Sequence, residues 1–170
     1  MAEAFDSRAL PEAKAARFAE LAQEIAAVLE GEPNLTARMA TVAAMLAQSF
    51  EAFFWTGFYL VDPERPGELV VGPYQGTLGC LRIGFGQGVC GTAAAERRTV
   101  IVPDVEAFPG HIACDSRSRS EIVAPVIAGG CRLLGVLDVD SAELAAFDEV
   151  DAEWLERILA HTFADNPSLT

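Results

Sequence analysis

Four cysteines, Cys80, Cys90, Cys114 and Cys131, are the side chains of this sequence best suited to covalent chemistry. They are separated by 10, 24 and 17 residues, and none forms a C-x-x-C pair. This spacing does not match structural zinc motifs. A metal site built from His111, Cys114, Cys80 and Cys90 is therefore the lesser alternative. Cys131 falls in a predicted hairpin and reads as a core residue or an exposed bystander. The other three lie in or beside long, irregular connections. Thiols so placed in a reducing compartment are redox-active or catalytic, whereas the plain alternative is a small buried core residue. Spacing leaves both readings open. Cys114 also has polar neighbours, with His111 three residues before it and Asp115, Ser116, Arg117 and Ser118 after it. Free backbone N–H groups and a nearby arginine favour a thiolate there.

A second group is acidic. Asp138 and Asp140 are two residues apart in Gly135-Val136-Leu137-Asp138-Val139-Asp140-Ser141, and Glu121 heads another predicted strand. Residues i and i+2 of a strand share a face, so the two aspartates project side by side. Neighbouring carboxylates repel, which raises at least one pKa and keeps a proton available near neutrality. A solvated strand end is the competing reading. In Trp55-Thr56-Gly57-Phe58-Tyr59, Trp55, Gly57 and Tyr59 share a face and either wall a small pocket or fill the core. Arg97-Arg98 reads as a solvated helix end, and His161 receives no role.

The elements that must position these groups follow from periodicity. Apolar residues at helical spacing predict a helix over Pro11–Glu30, stopped by Gly31 and Pro33. Asn34 caps a second helix carrying Leu35, Met39, Val42, Leu46 and Phe50 on one stripe. Strands are predicted at Phe53–Val61, Leu69–Val71, Thr99–Val102, Glu121–Ala128 and Leu133–Val139, with Gly129-Gly130 as a hairpin turn. Thr92–Arg97 reads as a short helix, and Asp148 caps a last helix with Val150, Trp154, Leu155, Ile158 and Phe163 on its buried face. Two connections, Gly72–Gly91 and Pro103–Ser120, are long and irregular, as functional loops often are. Short turns between strands make the sheet mainly antiparallel, so the expected fold is α+β, about six strands flanked by N- and C-terminal helices in one domain spanning 1–170.

Composition narrows the function. The chain has 170 residues, 51% of them hydrophobic and 22% charged, which is enough apolar material for a packed core. Its 25 acidic residues against 12 basic ones give a net charge of −13. Such a chain repels phosphate backbones and anionic lipid, so no nucleic-acid or membrane partner is expected. No apolar run approaches the ~18 residues of a membrane span. The opening Met1-Ala2-Glu3-Ala4-Phe5-Asp6 lacks the basic-then-apolar order of a signal peptide, and a cytoplasmic setting is expected.

Together these segments resemble the free methionine-(R)-sulfoxide reductases. Gly72-Pro73-Tyr74-Gln75-Gly76 and the stretch from Cys80 through Phe85-Gly86-Gln87-Gly88-Val89-Cys90-Gly91-Thr92-Ala93-Ala94 look like the centre of that family. Phe108-Pro109-Gly110-His111-Ile112-Ala113-Cys114-Asp115-Ser116, then Ser120-Glu121-Ile122-Val123, is similar to its active-site segment. The acidic strand and the aromatic strand match as well, and the likeness runs from about Leu35 to Leu159. Cys131 is an extra cysteine, the turn at Gly129-Gly130 looks altered, and the Ala-rich N-terminal helices match loosely.

The resemblance implies a GAF-like fold and reduction of the R epimer of free methionine sulfoxide, with thioredoxin as external reductant, no bound cofactor and a homodimer. It implies Cys114 as nucleophile, Cys90 as resolving partner and Cys80 as an accessory or second resolving thiol. It makes Glu121, Asp138 and Asp140 acidic substrate contacts and Trp55 and Tyr59 the aromatic wall. On this reading Glu121 or Asp140 protonates the departing oxygen, Asp138 meets the substrate ammonium, and backbone N–H groups from Asp115 and Ser116 to Ser118 meet its carboxylate. A non-enzymatic GAF sensor is the alternative function, disfavoured because such a domain is usually joined to an output domain.

Overall fold

A computed structural model describes residues 5–6, 11–112 and 114–164. Most of the opening segment read as lacking a signal peptide lies outside these residues, as does Ala113. Along the chain run α1 (Pro11–Val28), α2 (Leu35–Ser49), β1 (Trp55–Asp62), β2 (Arg65–Gln75), β3 (Arg82–Gly84), α3 (Gly88–Glu96), β4 (Val100–Val102), β5 (Ser120–Ala128), β6 (Arg132–Ser141) and α4 (Glu149–Phe163). Among the described residues no helix is long and apolar enough to cross a membrane.

The strands form one antiparallel sheet in the order β3-β2-β1-β6-β5-β4. Period-two alternation sorts its side chains onto two faces. Phe58, Ile122, Ala124, Val126, Leu137 and Val139 face α1, α2 and α4, where they bury against Phe18, Leu21, Met39, Leu46, Leu155 and Phe163. The opposite face carries Trp55, Tyr59, Val123 and Val136, covered by α3 through Val89, Cys90, Ala93 and Ala94. The site lies on this second face.

The helix ends are built as expected. The Asn34 side chain accepts the Ala37 N–H at 2.9 Å at the start of α2. Asp148 and Asp151 make a reciprocal capping box at the start of α4. Lys14 of α1 is 2% exposed and donates to Asp148 at 2.9 Å and Asp151 at 2.8 Å, so a buried ion cluster ties α1 to the start of α4.

The Gly72–Gly91 connection is more ordered than predicted. β2 extends to Gln75, past Gly72 and Pro73, because an extra residue is absorbed opposite β1: Gly57 pairs with Tyr74 but Tyr59 with Val71. A bulge accommodates a proline that cannot donate to a regular ladder. Helix α3 begins at Gly88, four residues before the predicted Thr92. Its glycines are poor helix formers, but tertiary packing overrides propensity. A Cβ on Gly91 would lie 2.2 Å from the Gly84 carbonyl oxygen, so only glycine lets α3 press so closely onto β3. This start carries Cys90 off a loop and onto a buried helix.

Candidate active site

Strand register assembles the acidic group. Glu121 of β5 pairs with Asp140 of β6, which pairs with Trp55 of β1, so the three form one row across adjacent strands. One step along, Asp138 lies between Gly57 and Val123. Paired residues share a face, so the two acids of β6, Glu121 and Trp55 all line the same cleft. Gly57 leaves room there: a Cβ would sit 2.2 Å from the Tyr74 Cβ. The Trp55 ring accordingly stacks between Tyr59 and Tyr74, with centroids 5.7 and 5.2 Å away.

The cleft is narrow and partly open to solvent. Glu121 and Asp138, only 5% and 6% exposed, form its floor. Burial pushes both carboxyls well above the ordinary range, and the neighbouring Asp140 raises both further. Asp140 is lifted to about 6 by burial, against the opposing pull of the Ser118 hydroxyl and of His111. The Ser118 hydroxyl donates to Asp140. His111 Nε2 lies 3.5 Å from Glu121 Oε2. Asp138 Oδ1 is buried and has no hydrogen-bond partner among the described residues. The floor therefore holds protons near neutral pH and presents an unsatisfied acceptor to whatever enters.

At the mouth Cys114 is bonded to Cys80, with 5.5 Å between their Cα atoms. Cys114 is exposed and Cys80 half-buried. Polar contacts join the loops that carry them. Thr77 Oγ1 donates to Asp115 Oδ2 at 2.6 Å, and Arg117 Nη2 donates to the same oxygen at 2.8 Å. The Arg117 guanidinium lies 4.9 Å from the Phe54 ring centroid, and Trp55 Nε1 donates to the Thr77 carbonyl at 2.9 Å. Hydrogen bonds from Arg117 and Thr77 hold the Asp115 carboxyl well below its usual range.

Two expectations change. The resemblance implied Cys90 as resolving partner of Cys114, with Cys80 as an accessory or second resolving thiol, and the structure bonds Cys114 to Cys80. Cys90 is 3% exposed on α3, and its Sγ lies 4.0 Å from Glu121 Oε1. Burial, then Asp138 and Glu121, raises its thiol well above the ordinary value, which leaves a neutral group and a poor nucleophile. The loop from Asp115 to Ser118 is not an open cradle of donors either. The Arg117 N–H donates to Asp115 Oδ1 and the Ser118 N–H to the Asp115 carbonyl. Ser116 is exposed and does not line the cleft, while Asp115 does.

The remaining predicted residues, Trp55, Tyr59, Glu121, Asp138 and Asp140, come together as lining of one cleft. Cys131 is exposed at the β5–β6 turn, where Arg97 donates to its carbonyl oxygen at 2.6 Å. The metal set of His111 and three cysteines does not form, because two of its thiols are in the disulfide. Cys90, Glu121 and Asp138 instead offer donor atoms all within 4.8 Å of one another. Ser118, expected only as a backbone donor, supplies its hydroxyl to Asp140, and Thr77 and Gln87 were missed as site residues. Isolated polar residues in an irregular segment carry no periodic signal, so nothing in their sequence context marked them.

A helix-covered antiparallel sheet with a cleft on its second face defines a GAF domain, and the GAF domain family model matches residues 32–162. The chain is 52% identical over 146 residues to GAF domain-containing protein A of Dictyostelium discoideum, covering 86% of this chain and 90% of that one. It is 40% identical over 133 residues to the free methionine-R-sulfoxide reductase of Saccharomyces cerevisiae, covering 76% and 74%. The crystal structure of free methionine-R-sulfoxide reductase from Neisseria meningitidis in complex with its substrate superposes with a TM-score of 0.85 at 46% identity, covering 100% of both chains. The chain belongs to the free methionine-R-sulfoxide reductase family of GAF domains.

Proposed function

We propose that this protein reduces free methionine-R-sulfoxide to methionine, with Cys114 as nucleophile and Cys80 as resolving thiol. The observation that carries the reading is the Cys80–Cys114 bond at the mouth of a cleft floored by proton-holding carboxyls. In the reduced protein the Cys114 thiolate attacks the sulfoxide sulfur. A protonated carboxyl, Glu121 or Asp140, gives its proton to the departing oxygen, which is otherwise a very poor leaving group. Oxygen passes to Cys114 as a sulfenic acid and methionine leaves. The Cys80 thiol then attacks that sulfur, water departs, and the disulfide forms. An external dithiol reduces it and is itself oxidised. These steps use no metal, flavin or nicotinamide.

Asp138 Oδ1 is the acceptor suited to the substrate ammonium, since it is buried and unpartnered. Trp55 and Tyr59 pack the S-methyl end. A peptide-bound residue lacks the ammonium, so the floor favours the free amino acid. Thioredoxin is the proposed reductant. Leu78 and Leu81 flank Cys80 and are 75% and 70% exposed, giving an apolar rim on which a dithiol protein can dock. A homodimer is the assembly that the family resemblance implies, and a cytoplasmic setting is proposed with it.

The test compares free R- and S-methionine sulfoxide with an N-acetylated R analogue, using dithiothreitol or thioredoxin as reductant. Turnover is expected for the free R epimer and to vanish in Cys114→Ser. Cys80→Ser is expected to complete one round and then stall with thioredoxin. Undiminished turnover in Cys114→Ser would end the proposal.

A further inference from the structure

Cys90, which the proposed thiol cycle leaves unused, meets two of the acids that cycle employs. Cys90 Sγ, one Glu121 oxygen and one Asp138 oxygen lie within 4.8 Å of one another, all on buried residues. They come from three separate elements, α3, β5 and β6, so their convergence is tertiary and not a local run of acids. Asp138 Oδ1 is more than nine-tenths buried and unsatisfied. A buried acceptor with no partner is costly and implies an occupant. His111 Nε2 lies 3.5 Å from Glu121 Oε2, beside the trio and not one of its converging donors.

We propose that Cys90, Glu121 and Asp138 bind one divalent cation of the zinc class. A thiolate together with two carboxylates suits Zn²⁺ or Co²⁺, not Mg²⁺ or Ca²⁺, which take six or more oxygens. Zn–S and Zn–O bonds of about 2.3 and 2.0 Å place tetrahedral donors roughly 3.5 Å apart, so side-chain rotation has to draw the trio in by about an ångström. Cys90 releases its thiol proton, and Glu121 and Asp138 any carboxyl protons they hold, to solvent as the metal–ligand bonds form. The ion neutralises two carboxylates and a thiolate packed together away from water. It also occupies the floor that receives the substrate ammonium under the proposed function, so metal and substrate exclude each other. The metal assignment stands on the donor set and does not require the reductase reading.

The oxidised protein isolates this site, because the disulfide consumes Cys80 and Cys114. In a Cys131→Ser background Cys90 is then the only thiol left. Titration with Co²⁺ is expected to give a near-ultraviolet thiolate-to-cobalt band that saturates at one equivalent and is displaced by Zn²⁺. Cys90→Ser is expected to abolish the band, and Asp138→Asn to weaken binding at least 10-fold while circular dichroism stays native. No saturable band, or a band that persists in Cys90→Ser, overturns the proposal. If Cys90→Ser fails to fold, unchanged affinity in Asp138→Asn overturns it instead. Loss of turnover in Cys114→Ser tests the reductase reading separately, so the two can fail independently.

Discussion

Asp140 carries a proton balance close to physiological pH. Burial lifts it to about 6, against the opposing pull of Ser118 and His111. Two consequences follow at this carboxyl. In single-turnover measurements the rate of sulfoxide reduction is expected to fall as pH rises and the carboxyls lose their protons. Asp140→Asn or Glu121→Gln should slow that step by ~10²-fold, as loss of a general acid commonly does. A loss of affinity with an unchanged single-turnover rate would make these residues binding groups only. The second consequence concerns stability. A folded-state pKa raised from 3.8 to about 6 means that the folded protein holds more protons than the unfolded chain across that window. Stability contributed by the protonated carboxyl is therefore present at low pH and lost as pH rises through the window. One pKa unit is worth about 1.4 kcal/mol, so the loss is on the order of 2–3 kcal/mol. Melting curves from pH 4 to 7 should show wild type losing stability relative to Asp140→Asn. Parallel curves for the two proteins would contradict this.

Helix α3 decides which cysteine lies beside Cys114. It starts early, at Gly88, because Gly91 packs against the β3 backbone, and this buries Cys90 beside the acids. Cys80 stays on the loop that reaches Cys114. From the sequence, glycine-rich surroundings made all three cysteines look like loop residues, since propensity scored this stretch as irregular. Other elements were legible. α2, with its Asn34 cap, and α4, with its Asp148 cap, agree with the sequence within a residue or two, because capping is local chemistry. The ion cluster of Lys14 with Asp148 and Asp151 was not legible, since its partners lie 134 and 137 residues apart. Lys14→Ala strands a buried carboxylate and should cost about 3 kcal/mol in denaturant unfolding. The Lys14→Ala, Asp151→Ala double variant should cost less than the two single changes added together. Simple additivity would show that the cluster is not energetically coupled.

The molecule as assembled combines a rigid sheet with a mouth held by few contacts. The centre of the sheet, β1-β6-β5, is paired on both sides and covered on both faces. The loops at the mouth are joined by one disulfide and by the Thr77, Asp115 and Arg117 contacts, which are solvent-exposed. Exposed polar contacts hold weakly against water. Reduction is therefore expected to raise amide hydrogen exchange between residues 76 and 81 and between 109 and 119, leaving the central strands unchanged. Exchange spreading into β5 and β6 would mean that the disulfide supports the sheet and not only the mouth. Under the proposed function, such local freedom would let Cys114 open to substrate and then meet Cys80.

Much of this architecture was readable along the chain. Alternation in β1 and β6 placed Trp55 with Tyr59, and Asp138 with Asp140, on common faces, because a strand repeats every two residues whatever surrounds it. Residue types and their order pointed to thiol chemistry and to an acid partner. Folding settled the matters that depend on distance between remote segments: the row of Glu121, Asp140 and Trp55, the burial that holds the carboxyl protons, and the bonding of Cys114 to Cys80. Those properties arise from strand register and close packing between elements, which no local pattern encodes.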